Sequence, residues 1–567
     1  MRVSLFTLWV WLGVSALISS GAENAGHLVI VGGGLRAENS AVYTRMIQFA
    51  GGPEKARFVV LPTASLSVKD SIALCDDLTL YGITRDRAEV LDVTEKNAAQ
   101  STVDPTILAK VQAASGVFIS GGDQRRLVRA LTKEDGGDTP LLAEIRVLLA
   151  RGGVVGGTSA GASCQSAVML AVSGLPDPMI DEGMDTLDFG IKTDERSRGL
   201  LIRSGFGFFK TGIIDQHFHQ FRGRLGRLTR AVADRRLNFG FGIDENTALI
   251  ARDDGRVEVA GAGHVTVIKT TGSKSEDGPL GYRIHGVTLT LLSDGDIFDP
   301  ASGKVDVPKE KEWMSPEKPE YHGNFQLNDI AAGGAVPFAM INGLAENSRK
   351  EQIGICQKLY PDHSHGYRFT FRKRPTTNCY GGFYRHAWTN TVIDIELDID
   401  PIGEGMRDSV QSVPSDLRGI QQNSGLLSVA FRGIMPANSR TAFRKDEPLT
   451  RGELASLAAR AAHIPSPFPS DPAIADLPAA QPLADEILRV TAAGWMHVDD
   501  KQQFRPTEKA DAACAARVFK HLVETSAPRG ASTLLQELDQ LERTGSATMK
   551  RGTAAEWTAR ILELPRQ

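Results

Sequence analysis

The chain has 567 residues, 41% of them hydrophobic and 23% charged, with a formal net charge of -4. That length asks for several cores. The near-neutral balance excludes nucleic acid as a bulk partner, and five cysteines are too few for a disulfide framework.

In chain order, Met1-Arg2 precedes the apolar run Leu5–Ile18, and Ser20-Gly21-Ala22 supplies small residues for cleavage after Ala22. The pattern predicts a secretory signal peptide over 1–22 and a secreted protein, outside the cell or in its envelope or periplasm. The run is short for a membrane span, and no later segment is apolar enough for one. From His27 the chain alternates strand and helix. Strands are expected at His27–Val31, Arg57–Pro62, Ala88–Asp92 and Gly116–Ser120, and at Val154-Val155. Helices are expected at Asn39–Ala50, Ser67–Tyr81, Pro105–Ala114, Arg125–Leu131 and Leu141–Ala150. Continuous apolar strands between helices predict a mostly parallel sheet covered on both faces. Gly32-Gly33-Gly34 does not complete a dinucleotide fingerprint, since the later glycine and the closing acid are missing.

Gly156-Gly157-Thr158-Ser159-Ala160-Gly161 follows the last of these strands, with a helix expected from Ala162 to Leu170. Strand, tight glycine turn, Ser, helix is the pattern of a nucleophile elbow, although a simple N-cap Ser has the same local sequence. A long acidic loop, Ser173–Leu200, comes next. Thr211–His219 then reads as a strand, and Phe239–Ile250 as strand, turn, strand. Val257–Ile268 and Val287–Leu292 complete the sheet elements. The charged, Pro-rich stretch Lys309–Glu320 marks a boundary. It separates a catalytic region, 23–308, from a β-rich accessory domain, 320–440, and an Ala-rich helical region, 445–567. Within 320–440, Asp394, Glu396, Asp398 and Asp400 read as a solvated face, and Cys356 and Cys379 could pair. His363 and His365 have metal-pair spacing but no third ligand, so neither a metal nor an organic cofactor is expected. Cys75, Cys164 and Cys514 read as buried small hydrophobes.

A serine nucleophile needs a base, an orienting acid and oxyanion donors. His217 and His219, on one predicted strand, are both candidate bases. Asp215 and Glu245 are both candidate acids. The backbone N–H groups of Ala160 and Gly121-Gly122 are candidate donors. Arg222, Arg224 and Arg227 next to such a site could bind carboxylates in bidentate fashion. The order Ser, His, Glu argues against a lipase-type hydrolase, whose acid falls between the other two.

Five motifs in order resemble cyanophycinases and their relatives in serine peptidase family S51. They are Gly121-Gly122-Asp123-Gln124, Gly157–Ala162, Asp215-Gln216-His217-Phe218, the Arg222, Arg224 and Arg227 run, and Gly242-Ile243-Asp244-Glu245 with Thr247-Ala248. The resemblance implies a class I glutamine amidotransferase-like α/β fold. It implies Ser159 as nucleophile, His217 as base and Glu245 in preference to Asp215 as acid. It implies Gln124, Asp215, Gln216, Arg222, Arg224 and Arg227 as substrate-binding residues and Gly122 and Ala160 as oxyanion donors. The implied substrate is cyanophycin, a poly-aspartate carrying arginine on its side chains, cut to β-Asp-Arg dipeptides by what is expected to be a homodimer. Asp181, Glu182, Asp185 and Asp188 of the acidic loop would meet the substrate's guanidinium groups. The competing readings are a family S51 peptidase acting on Asp- or isoAsp-containing peptides, and a non-catalytic surface-binding protein. The C-terminal region resembles S-layer homology repeats, carried by Thr450-Arg451-Gly452-Glu453, Ala475-Asp476-Leu477-Pro478, Ala493-Gly494-Trp495 and Phe504-Arg505-Pro506. That resemblance implies attachment to a cell-wall or envelope polysaccharide. It lacks the usual His-Trp pair, and its last repeat is degenerate.

Overall fold

The computed structural model describes residues 26–171, 182–194, 197–278, 281–315, 318–319, 322, 327, 329–357, 366–385, 387–402, 444–462, 474–477, 483–526, 531–545 and 547–563. The predicted signal peptide, Asp181, His363 and His365 fall outside these residues.

Among the described residues, the first large sheet has nine strands. In spatial order they are Val305–Asp306, Ile297–Phe298, Val257–Gly261, Thr247–Ala251, His27–Val31, Val154–Thr158, Gly116–Ile119, Phe58–Leu61 and Ala88–Val90. The five from His27–Val31 onward run parallel, and the rest are antiparallel. The apolar strand sequences follow from burial on both faces. Leu28 and Ile30 join the core under the helices Pro105–Ala113, Gln124–Leu131 and Pro140–Ala150. Val29 and Val31 join the opposite core, under Ser40–Phe49 and Lys69–Thr79. Each such side chain contributes about 1.5–3 kcal/mol. Asn39, Asp104, Asp123 and Thr139 cap four of these helices with side-chain acceptors, worth about 1 kcal/mol each.

The second large sheet corrects the expected domain division. It runs Glu312–Trp313, Gly366–Tyr384, Ala387–Ile402, Gly281–Leu292, Val265–Lys269, Gly240–Ile243 and Ile213–Asp215, with Glu351–Gln357 and Lys274–Gly278 alongside. Strands from both sides of the predicted boundary therefore pair in one sheet, as Leu289 with Ile395 and Val287 with Leu397. The described part of 320–440 shares one core with the catalytic region, in which Leu289 and Leu291 pack with Ile395 and Leu397. It is an extension of that region, because β-pairing between distant segments leaves no mark in local composition. The acidic stripe is also more than a solvated face. Arg374 lies 2.7 Å from Asp394 and 3.2 Å from Glu396, and Arg372 pairs with Asp398. Cys356 and Cys379 remain separate thiols on neighbouring strands, each buried.

The described C-terminal helices, Arg451–Ala461, Ala484–Ala492, Ala512–Ser526, Ala531–Thr544 and Arg551–Glu563, share a core of their own. Three bridges join the segments that precede Arg451–Ala461, Ala512–Ser526 and Arg551–Glu563 pairwise: Pro448 with Lys550, Thr450 with Lys509, and Asp511 with Thr548.

Candidate active site

Ser159 leaves the middle of the first sheet, where Val154–Thr158 is paired in parallel on both sides. Its backbone sits at φ 54° and ψ -113°, a conformation costing about 1–3 kcal/mol and typical of functional turns. The turn requires glycine. A Cβ on Gly157 would lie 2.2 Å from the Gly161 carbonyl oxygen, and one on Gly161 would lie 2.1 Å from that of Ile119. The helix that follows has only four residues, Ala160–Ser163, and Val168–Ala171 is a strand where helix was expected. So short a helix has little macrodipole, and individual N–H groups must do any oxyanion stabilisation. Among the described residues, the N–H groups of Gly122 and Ala160 donate no hydrogen bond. Gly121 lies beside Ser159, its Cβ position 3.2 Å from Ser159 Cβ.

Ser159 makes no cap hydrogen bond. Its Oγ lies 2.8 Å from His217 Nε2, and His217 Nδ1 lies 2.6 Å from Glu245 Oε1. An ionised carboxylate only accepts, so Nδ1 carries the hydrogen and Nε2 is free to take the hydroxyl proton. The imidazole and the carboxylate are each a little under one-fifth exposed, which leaves the series open to a small molecule.

The local fold explains how three distant residues meet. The expected strand Thr211–His219 is shorter, Ile213–Asp215. His217 takes a left-handed φ of 45°, and its N–H donates to the Gly32 carbonyl at 2.6 Å. Glu245 sits in the turn where the chain passes from one sheet to the other, between Gly240–Ile243 and Thr247–Ala251. The site therefore lies on the seam of the two sheets. Gly32-Gly33-Gly34, which fits no dinucleotide pattern, makes the room. A Cβ on Gly33 would lie 2.1 Å from His217 Cε1, and one on Gly34 would lie 3.1 Å from Glu245 Oε2.

His219, the other candidate base, faces away into the interior with Asp244. Asp215, the other candidate acid, is buried against two arginines. Arg227 Nε lies 2.8 Å from Asp215 Oδ2, and Arg224 Nη1 lies 3.1 Å from Oδ1. Burial pushes the Asp215 carboxyl up, but the Arg227 and Arg224 guanidinium groups outweigh it and hold the carboxyl below its usual range. Arg222 pairs with Asp329 and is one-fifth exposed, against 7% for Arg224 and 4% for Arg227. Gln216 Oε1 stands 3.5 Å from Ser159 Oγ. Gln124 is buried and donates to the Leu170 carbonyl at 2.8 Å.

In the acidic loop, Glu182–Phe189 is a helix. Asp185 lies 2.7 Å from Arg198, and Asp188 accepts a hydrogen bond from the Tyr367 hydroxyl at 3.0 Å. Two further residues escaped sequence reasoning. Phe221, half exposed, meets the His217 ring edge-on at 5.1 Å, and Gln220 Oε1 accepts the Glu245 N–H at 3.0 Å. Their only signal is nearness to His217.

A hydroxyl hydrogen-bonded to an imidazole that a carboxylate orients can be deprotonated as it attacks a carbonyl. Residues 28–259 match the model of peptidase family S51. A cyanophycinase from Trichormus variabilis is 31% identical over 280 residues, 48% of this chain and 84% of that protein. One from Synechococcus elongatus is 30% identical over 294 residues, 50% of this chain and 83% of the relative. Among solved structures, a peptidase from an acI-B1 Actinobacterium aligns with a TM-score of 0.34 at 20% identity, covering 49% of this chain and 98% of its own. The chain belongs to peptidase family S51.

Proposed function

We propose that the protein is a secreted serine peptidase that hydrolyses cyanophycin to β-Asp-Arg dipeptides through an acyl-enzyme. The observation that carries this reading is the hydrogen-bonded series Ser159, His217, Glu245. Ser159 Oγ attacks the backbone carbonyl as His217 takes its proton. The oxyanion is met by the N–H groups of Gly122 and Ala160. His217 returns the proton to the leaving amine, Glu245 stabilises the imidazolium, and water then releases the acyl group by the same steps reversed.

The substrate assignment rests on the cyanophycinase relatives and on Arg222. Arg224 and Arg227, held by Asp215, fix the turn that brings Gln216 against Ser159. Arg222, the most exposed of the three, is the one with surface to offer a substrate carboxylate. Export follows from the N-terminal pattern. The C-terminal helical region would hold the enzyme at an envelope polysaccharide, near polymer released from other cells.

The test is incubation of the full-length protein with insoluble cyanophycin and chromatography of the products. Release of β-Asp-Arg that disappears in Ser159→Ala supports the reading. Cleavage of isoAsp dipeptides with the polymer untouched moves it to the other substrate class. Hydrolysis that survives Ser159→Ala overturns the nucleophile.

A further inference from the structure

The loop that carries His217 is held from two sides. On its inner side the His217 N–H donates to Gly32, the Phe218 N–H to Ile243 at 3.1 Å, and the His219 N–H to the Asp244 carboxylate at 3.0 Å. These partners all lie within the region matched to the family, 28–259. The outer side is held by residues well beyond it. The Gly334 N–H donates to the His219 carbonyl at 2.9 Å, and the Gly223 N–H donates to the Ala331 carbonyl at 3.0 Å. Arg222, between those two points, forms its ion pair with Asp329. Gly333 runs so close that a Cβ there would lie 3.1 Å from the His219 carbonyl oxygen.

This outer strap is itself anchored. Ile330 is buried, and its N–H donates to the Ile355 carbonyl at 2.9 Å. Ile355 lies on a strand paired with Gly366–Tyr384, and through Ala387–Ile402 that strand is continuous with the sheet that ends in Ile213–Asp215. The His217 loop is thus held on its inner side at strand ends of both sheets and on its outer side by a segment anchored to the second sheet.

We infer that the segment Asp329–Gly334 is a working part of the active site, with Asp329 as a positioning residue that fixes the His217 loop through Arg222. The inference rests on the proposed roles of Ser159 and His217. Asp329 touches no reacting atom; it supplies the counter-charge for a guanidinium five residues after the base. Arg222 also donates to Cys356 Sγ at 3.5 Å, so loss of the Asp329 charge removes its ion pair, shifts the guanidinium and loosens the loop, and displacements of about 1 Å cost up to about 100-fold in rate.

The experiment compares full-length wild type with Asp329→Ala, Asp329→Asn and Asp329→Glu. It reads the rate of Ser159 labelling by a small alkyl fluorophosphonate, kcat and KM on cyanophycin, and the thermal midpoint. Asp329→Ala and Asp329→Asn are expected to label about 10-fold more slowly and to lose kcat by a similar factor, and Asp329→Glu to recover part of both; the labelling reagent carries no carboxylate for Arg222 to bind, so its rate reads position apart from any change in KM. Folded Ala and Asn variants that label at the wild-type rate overturn the positioning role. If the Ala variant does not fold, the Asn variant, of nearly equal volume, carries the test. Wild type that is not labelled at Ser159 overturns the nucleophile itself, and this inference with it.

Discussion

Two acid–imidazole–hydroxyl series stand side by side in this protein. Glu245, His217 and Ser159 form one. Asp244, His219 and Thr266 form the other: His219 Nδ1 stands 2.9 Å from Asp244 Oδ1, off the line of a good hydrogen bond, and its Nε2 lies 3.2 Å from Thr266 Oγ1. The acids are adjacent in sequence and the histidines two apart. Yet His219, Asp244 and Thr266 are all buried, whereas His217 and Glu245 are partly open. Thr266 lies within a regular strand, paired with Gly242 and Leu291, while Ser159 sits on a strained turn. Three residue types in the right order are therefore not enough. A usable hydroxyl also needs access and a backbone that presents it.

Substitutions along the two series should separate sharply. Ser159→Ala and His217→Ala are expected to cost about 10⁴–10⁶-fold in kcat with little change in stability. Glu245→Gln, which leaves the ring but loses control of its tautomer, should cost about 10⁴-fold. In the buried series the effect moves to stability. His219→Gln should destabilise by about 1–3 kcal/mol, measured by denaturant unfolding, and leave kcat within about 10-fold. A larger loss of kcat than that would mean that His219 acts on the reaction. Thr266→Val should cost only about 1 kcal/mol.

Asp244 adds a pH signature. Burial raises its carboxyl pKa, but His219 and His264 outweigh burial and hold it well below the usual carboxylate range. A depressed folded pKa stabilises fully above the unfolded value of about 3.9, and that contribution fades as pH falls below it. The stability gap between wild type and Asp244→Asn should therefore narrow as pH is lowered from about 4. A gap constant down to pH 2 would show that the Asp244 carboxyl titrates alike in the folded and unfolded states.

Much of the first sheet was legible, because strands buried on both faces are written as uninterrupted apolar runs and Asn39, Asp104 and Thr139 mark helix starts. The elbow was legible for the same local reason. The choice of His217 over His219 came only from the family resemblance, since it depends on the left-handed backbone at His217, and the strand ends at Asp215, four residues earlier than its composition suggests. Asp215 and its arginines were recognisable as charges but not as partners, because a buried pair and a waiting binding site use the same residues. The extension was misread for a physical reason too. Val287 and Leu397 are 110 positions apart and meet only through sheet pairing.

That pairing has a consequence for synthesis. When His217 and Glu245 leave the ribosome, neither Asp329 nor the strand Ala387–Ile402, which will cover one side of Gly281–Leu292, has been made. At 5–20 residues per second the missing strand arrives roughly ten seconds or more later. The Ser159 elbow and the His217 loop are translated early, but the sheet that frames them is completed late.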